Sequence, residues 1–395
     1  MHAAPALPPA DPIAAATHPD PYPYYAQLVR ERPLHRDAAR GLWVAADAET
    51  VEVLLSHPAC RVRPADEPVP PPLRDTPLEA LFVRLIRMTD GGGREAPRTA
   101  AVQAFTRLGA ELLQAEAATA AAQLAPEAPA SGDALSALLF ALPLQVTAAL
   151  LGIAPAQRAR VVDGTQRLTA ALSPLATAQQ RAAGATALEA LVEALAGART
   201  GPLWDAFARG AQHRGVERSH VLANAVGFLV QSGEATAGLA GNALLALGRD
   251  RELLAAVHAA PGLLSSLLEE VLRHDAPVQS TRRFVHSDLM LRGVQLQEGA
   301  QVLLLLAAAN RDPALNPEPQ RLLLQRERRR HFTFGLGAHA CPGARLATAI
   351  AEAALRRLLA LGVDPVALVH AYRYRPSLNG RVPLFLAPPT AGGRA

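Results

Sequence analysis

Residues 331–343 read HFTFGLGAHACPG, an aromatic, glycine-rich loop that delivers Cys341 into an alanine-rich helix expected to begin at Pro342. A chain that holds a buried thiolate against a metal is built in this way. Glycines at 335, 337 and 343 permit φ > 0 and close backbone approach to a flat ligand, beside which Phe332 and Phe334 pack. Proline suits the first helical position, which sets the sulfur at the helix's positive end and favours thiolate over thiol. His339 is placed to donate to an anionic group at the ligand's edge. Three other readings compete for this cysteine. A structural thiol does not need three glycines, a cysteine–histidine nucleophile pair lacks an evident oxyanion arrangement, and zinc needs more ligands at finger-like spacing.

The loop resembles the haem-binding segment of the cytochrome P450 family. The family pattern Phe-x-x-Gly-x-x-x-Cys-x-Gly is met by Phe334, Gly337, Cys341 and Gly343. The resemblance implies haem b (iron protoporphyrin IX) with Cys341 as its metal ligand, Gly335 in the same loop, and a mainly α fold with small β-sheets. It runs from DPYPYYAQL to YRPSLNGRVPLFL, nearly the whole chain. One domain over 1–395 is therefore expected, with a Pro-rich irregular segment at about 1–20.

The wider composition agrees with that expectation. A chain of 395 residues, 50% hydrophobic, buries a large core. It has no lysine, so its basic residues are arginines, and a net charge of +4 does not point to nucleic acid. Two cysteines imply no disulfide framework and a reducing, cytoplasmic setting, with Cys60 a plain structural thiol. The N-terminal residues show neither the basic nor the apolar region of a secretory signal. Residues 134–154 carry no charge and are long enough to span a bilayer. Pro143, Gln145 and Thr147 interrupt them, and they are read as the end of one core helix and the start of another, with no membrane span.

Along the chain, a short helix is expected at DPYPYYAQLVRERP, a strand around Trp43, and a loop over 61–76. Helical periodicity dominates 77–254, with breaks near 126–132, 155 and 201–202. The segment from Arg282 to Leu306 alternates around a central Arg-Gly turn and reads as a small sheet, and 372–386 as a hairpin.

Glu270 and Arg273 stand at i and i+3 on a predicted helix, where a surface ion pair is one reading. They also resemble the family's Glu-x-x-Arg pair, with Arg326 as the meander arginine. The resemblance implies a buried charge network behind the haem, costly to break by removing one partner. Leu322 and Asn316 stand where the family has meander phenylalanines. For the haem propionates, arginine supplies bidentate geometry. By resemblance the partners are Arg283, His339, Arg98, and Arg94 in place of a common histidine.

A long helix over 220–247, N-capped by Ser219, is expected to cross over the haem. Its segment QSGEATAG resembles the family's oxygen-activating motif. Glu234 stands at the acid and Thr236 at the second threonine, while Ala235 replaces the first, whose hydroxyl steers protons during oxygen activation in the family. Gln231 and Ser232 replace the usual small pair. A substrate group, a water held by Gln231, Ser232 and Glu234, or use of peroxide or one-electron coupling would each compensate. Proline at 342 removes an N–H that normally donates to the sulfur, so a more electron-rich thiolate is expected.

The resemblance implies a monooxygenase that oxidises, by hydroxylation above all, a small organic molecule, with natural-product biosynthesis as the expected setting. Its pocket is expected at 63–85, 168–175, Gln231, Val278, Gln279, Ser280 and the turn carrying Leu378. A chain of this length is too short for its own flavin or iron–sulfur domain, so electrons are expected from a ferredoxin and its reductase. That partner would dock on a basic patch of Arg326, Arg328, Arg329, Arg330, Arg345, Arg356 and Arg357. A peroxide-using or oxidative-coupling enzyme, and a haem protein that only binds a ligand, are the alternatives.

Overall fold

β-Branched and leucine-rich alternation around Arg283 gives two strands that enter a five-stranded sheet. The computed structural model describes residues 7–198 and 200–386. Before this region come helix α1 (Tyr22–Glu31), strands β1 (Leu34–Asp37) and β2 (Leu42–Ala45), α2 (Ala48–Ser56) and β3 (Cys60–Arg61). Strands β4 (Thr281–Val285), β5 (Leu289–Leu291), β6 (Val294–Leu296) and β7 (Gln301–Leu304) follow much later in the chain. The sheet order is β1-β2-β7-β4-β3, with β2 and β7 parallel. Arg292 (φ 52°) and Gly293 (φ 73°) form the turn of a separate β5–β6 hairpin, both in the left-handed conformation that such two-residue turns require. The expected small sheet is thus split between two sheets.

Helices fill most of the rest. They are α3 (Pro77–Arg84), α4 (Gly92–Arg107), α5 (Ala110–Leu124), α6 (Gly132–Leu150), α7 (Pro155–Ala171), α8 (Ala178–Ala196), α9 (Pro202–Gln212), α10 (Arg218–Arg249), α11 (Arg251–Ala259) and α12 (Leu263–His274). After the sheet come α13 (Leu306–Asn310), α14 (Ala344–Ala360), α15 (Pro365–Leu368) and the hairpin β8 (Tyr372–Tyr374) with β9 (Pro383–Phe385). Within the Pro-rich N-terminal stretch, Ala14–Thr17 makes one 3-10 turn with Ala15 and Ala16 buried, while 1–6 lie outside the described residues.

The 32-residue α10 is the central element, about 48 Å long at the usual rise, and it packs against α6, α8, α12 and α14. Its N-cap is Glu217, not Ser219, which lies inside the first turn and donates to the Glu217 carboxylate at 3.2 Å. Among the described residues one helix, Gly132–Leu150, is long and apolar enough to cross a membrane. Eleven of its residues are buried, it packs on α10, α5 and α7, and it runs through Pro143 without breaking. The next helix begins only at Pro155, so 134–154 is one core helix and a turn.

Candidate functional site

Thr333 and Phe332 tie the cysteine loop to the core before the loop begins. The Asn310 side chain accepts from the Phe332 N–H at 2.7 Å and donates to Leu272 O and Thr333 Oγ1. Fully buried Asn316 donates to Asn310 O and Arg330 O and accepts from the Arg330 N–H. Hydrogen bonds thus fix the meander at a position where an aromatic side chain was the expected packing unit. Phe332 belongs to the core beside the sheet, whereas Phe334 packs on the helical core.

The loop itself turns on Gly335 (φ 68°) and Gly337 (φ 63°), where a Cβ would also meet His339 O and Ser56 Oγ at 3.3 Å. Pro342 is not the first helical residue: α14 starts at Ala344 with Gly343 as N-cap, and Pro342 lies in the preceding turn. The Gly343 N–H faces the Cys341 sulfur instead of starting the helix. Cys341, expected to be buried, is accessible, yet the protein around it removes enough hydration to push its thiol up. The Gly343 N–H and the positive charge of Arg98 pull the other way, towards thiolate.

Cations collect beside it. Arg94 is buried and donates to Ala338 O, and Arg98 donates to Ala340 O. Arg283 lies inward on β4 while Arg282 is exposed. His339 Nε2 is 2.8 Å from Asp90 Oδ1. Burial first, then its like-charged neighbour Arg98, lowers the pKa of Arg94, and burial also lowers those of Arg98 and Arg283. Asp90 is the acidic group that opposes this at Arg94 and Arg283. The Nε atoms of Arg94 and Arg283 are buried without a hydrogen-bond partner. An accessible sulfur beside three arginines, two with orphaned donors, fits a metal macrocycle bearing two carboxylates. A sequence profile described as Cytochrome P450 matches residues 218–361, from the start of α10 to the end of α14. The protein named cytochrome P450 monooxygenase PikC, from Streptomyces venezuelae, is 30% identical over 368 residues, covering 89% of this chain and 87% of its own.

The chain belongs to the cytochrome P450 family. Its cofactor is haem b. The 20-oxo-5-O-mycaminosyltylactone 23-monooxygenase of Streptomyces fradiae is also 30% identical, over 88% of this chain and 84% of that one. The crystal structure of CalO2 superposes with a TM-score of 0.80 at 26% identity, covering 97% of this P450 and 100% of that chain.

The P450's charge network is larger than expected. Glu270 and Arg273 are fully buried and doubly hydrogen-bonded, at 3.1 and 2.6 Å. Arg326 Nε reaches Glu270 at 3.0 Å, and Arg329 Nε at 2.9 Å. Arg329 and Arg326 are therefore committed to this carboxylate and do not form a free basic patch. Arg330 pairs with Glu52, Arg356 with Glu352, and Arg357 donates to Ala125 O and Pro126 O. Of the seven arginines, Arg328 and Arg345 remain exposed with no ion pair among the described residues.

Along α10, Gln231 is exposed and Ala235 half-buried, one turn apart on one face. Gln231 Nε2 donates to Gly227 O and Ser232 Oγ to Leu229 O. Glu234 is drawn aside into an ion pair with Arg375 at 2.6 Å, and Thr236 is buried. Gln231 and Ala235 thus share one face and Ser232 and Thr236 the adjacent one, while Glu234 turns aside to Arg375. Gln279 and Ser280 are buried; Val278 bridges to Gly380, and the Gln279 N–H donates to Asn379 O, which fixes the turn holding half-buried Leu378. Leu168 is fully buried in the core. Cys60 is buried in β3, and burial pushes its thiol up to about 11, in keeping with a structural role.

Sequence reading missed Asp90, Asn310 and Arg375, and it placed Arg329 in a docking patch instead of on Glu270. Only Asp90 carried a local signal, standing four residues before Arg94 in MTDGGGR.

Proposed function

We propose that this P450 is a haem-thiolate monooxygenase that hydroxylates a small organic molecule in natural-product biosynthesis, taking electrons from a ferredoxin and its reductase. The observation that carries the reading is Cys341, accessible beside the Gly343 N–H and Arg98, within a cluster of three arginines that Asp90 only partly offsets. The names of the PikC protein and the tylactone oxygenase support a natural-product substrate. Haem, when bound, supplies the activation of O2, one oxygen atom entering substrate and the other leaving as water with two electrons and two protons.

The protein's part is placement. Cys341 holds the cofactor's metal, and Arg94, Arg98, Arg283 and His339 hold its propionates. Asp90 keeps His339 oriented and moderates the positive charge around it. On the opposite side, Gln231 is the polar side chain sharing the face of Ala235, so its carboxamide orients the water that a threonine hydroxyl would otherwise hold. Glu234, paired with Arg375, is a route for proton exchange with solvent. Val278, just before β4 and bridged to Gly380, and Leu378 in the adjoining turn line the substrate side.

Ala235 favours a second reading, in which peroxide replaces O2 and reductant or the enzyme couples radicals. Titration of the haem-loaded ferric protein with a small-molecule library, read by the Soret band, tests both. Binders should stimulate NADH use with surrogate redox partners and take label from labelled O2. Product formed only with peroxide selects the second reading. Binding without product under either condition leaves a ligand-binding haem protein.

A further inference from the structure

Arg87 sits in the 3-10 turn Ile86–Met88, between two anchors. On one side, the Ile86 N–H donates to Asn224 Oδ1 of α10 at 2.8 Å, and Asn224 Nδ2 returns a bond to Arg84 O. Leu85 lies so close to α10 that a Cβ at Gly227 would stand 2.7 Å from its Cδ2 and 3.2 Å from Gln231 Nε2. On the other side, Asp90 holds His339 of the cysteine loop. Three residues span at most about 10 Å, so Arg87 bridges the gap between α10 and the cysteine loop. Asn224, Gln231 and Ala235 recur at helical spacing, so this turn packs against the α10 face that carries Gln231 and Ala235.

The side chain of Arg87 combines two properties shared with Cys341. It is exposed, yet enclosed by enough protein that loss of hydration lowers its pKa. Its turn is held between α10 and the loop that carries His339, and the guanidinium is left accessible there. No carboxylate opposes that dehydration, and among the described residues no ion pair or hydrogen bond uses its guanidinium. Nearby Arg63, by contrast, is engaged by Val83 O and Thr89 Oγ1. Placing an unpaired guanidinium in an enclosed site costs free energy that an anionic ligand offsets.

We propose that Arg87 anchors a carboxylate of the substrate in the cleft between α10 and the cysteine loop, so that this P450 acts on an organic acid. The planar guanidinium fork matches two carboxylate oxygens. This rests on the monooxygenase reading and narrows it to a substrate class. The carboxylate end is thereby placed beside the α10 face that carries Gln231 and Ala235.

The test uses the haem-loaded full-length protein and a panel of matched pairs, each a carboxylic acid and its methyl ester, on aliphatic and aromatic skeletons. Affinities are read from the Soret band and, independently, by calorimetry. At least one acid should bind about tenfold or more tightly than its ester. Arg87→Gln should reduce that acid to the affinity of its ester, and Arg87→Lys should keep part of the preference. Haem content and circular dichroism verify that both variants fold. Absence of acid preference across the panel, or a preference unchanged in Arg87→Gln, overturns the proposal. So does loss of haem with the preference intact, which would make Arg87 a cofactor ligand. A ferrous carbon monoxide spectrum without the red-shifted band of a thiolate-ligated haem refutes the underlying haem-thiolate reading separately.

Discussion

The Gly343 N–H lies beside the Cys341 sulfur and favours its thiolate, across Pro342, a residue with no N–H of its own. One donor thus serves the sulfur where a non-proline residue at 342 would offer a second. Hydrogen bonds to a ligating thiolate withdraw electron density and raise the metal's potential. Pro342→Leu is therefore expected to raise the iron reduction potential, measured by redox titration of the haem-loaded protein. An unchanged or lower potential in Pro342→Leu removes the inference.

Gln231 and Ala235 form a pair one helical turn apart, with Ser232 bonded back to its own helix and Glu234 held by Arg375. If Gln231 orients the proton-delivering water, Gln231→Ala lowers product formed per electron by about tenfold or more, the scale of a positioned proton-transfer group. Ala235→Thr in the same chain should restore most of it. Product and NADH measured together give the ratio. Ala235→Thr without effect in either background means that the missing hydroxyl does not control coupling.

The cysteine loop was legible because its requirements are local. Gly335 and Gly337 occupy positive φ, and one cysteine must precede one helix. The start of α14 was placed two residues early, because proline's preference for the first turn competes with a sulfur that needs the next N–H. The Glu270–Arg273 pair was readable from i, i+3 spacing. Arg329, 59 residues from Glu270, carries no mark distinguishing it from the neighbouring exposed Arg328. Asn310 and Asn316 satisfy buried backbone groups of a meander without regular structure, and no periodicity announces such partners. Ser219 as N-cap failed because a serine flanked by other polar residues leaves several starts open, and the extended backbone at Glu217 settles the choice.

Three guanidinium groups converge on the Glu270 carboxylate. Burial opposes its charge, but the Arg273 hydrogen bonds and charge, with the Leu323 N–H and Arg326, outweigh burial and hold its pKa below the ordinary value. Glu270→Gln keeps the shape and removes the charge that balances Arg273, buried at 0% exposure. The expected cost is about 3–5 kcal/mol, with lowered haem retention. Denaturant unfolding and haem content give the two readings, and a loss under about 1 kcal/mol would show that the meander arginines find other partners.

His274 lies in a second network. Arg311 Nη2 donates to its Nδ1 at 3.0 Å, and its Nε2 lies 2.9 Å from Gln320 O. Burial, followed by the positive charge of Arg311, pushes its pKa down to about 3. The neutral ring is therefore favoured in the fold. Its contribution is complete above the unfolded value of about 6.5 and is lost as pH falls from there towards about 3. The unfolding temperature should fall between about pH 7 and pH 5, and His274→Gln should flatten that fall. An equally steep profile in the variant assigns the acid lability elsewhere.

Electron delivery turns on which arginines remain free on the face that carries the cysteine loop. Arg326 and Arg329 are held by Glu270, so reversing Arg329 would break the core network and report folding rather than docking. Arg328 and Arg345 are exposed, and steering by such charges is strong only at low salt, where the screening length is long. Arg328→Glu with Arg345→Glu is expected to slow reduction by an acidic ferredoxin about tenfold or more at low ionic strength. The difference should shrink at high salt, where screening removes the steering term. Stopped-flow reduction at two salt concentrations makes the comparison. Equal rates at low salt place the donor on another surface, whereas a defect independent of salt identifies a contact role in place of long-range steering.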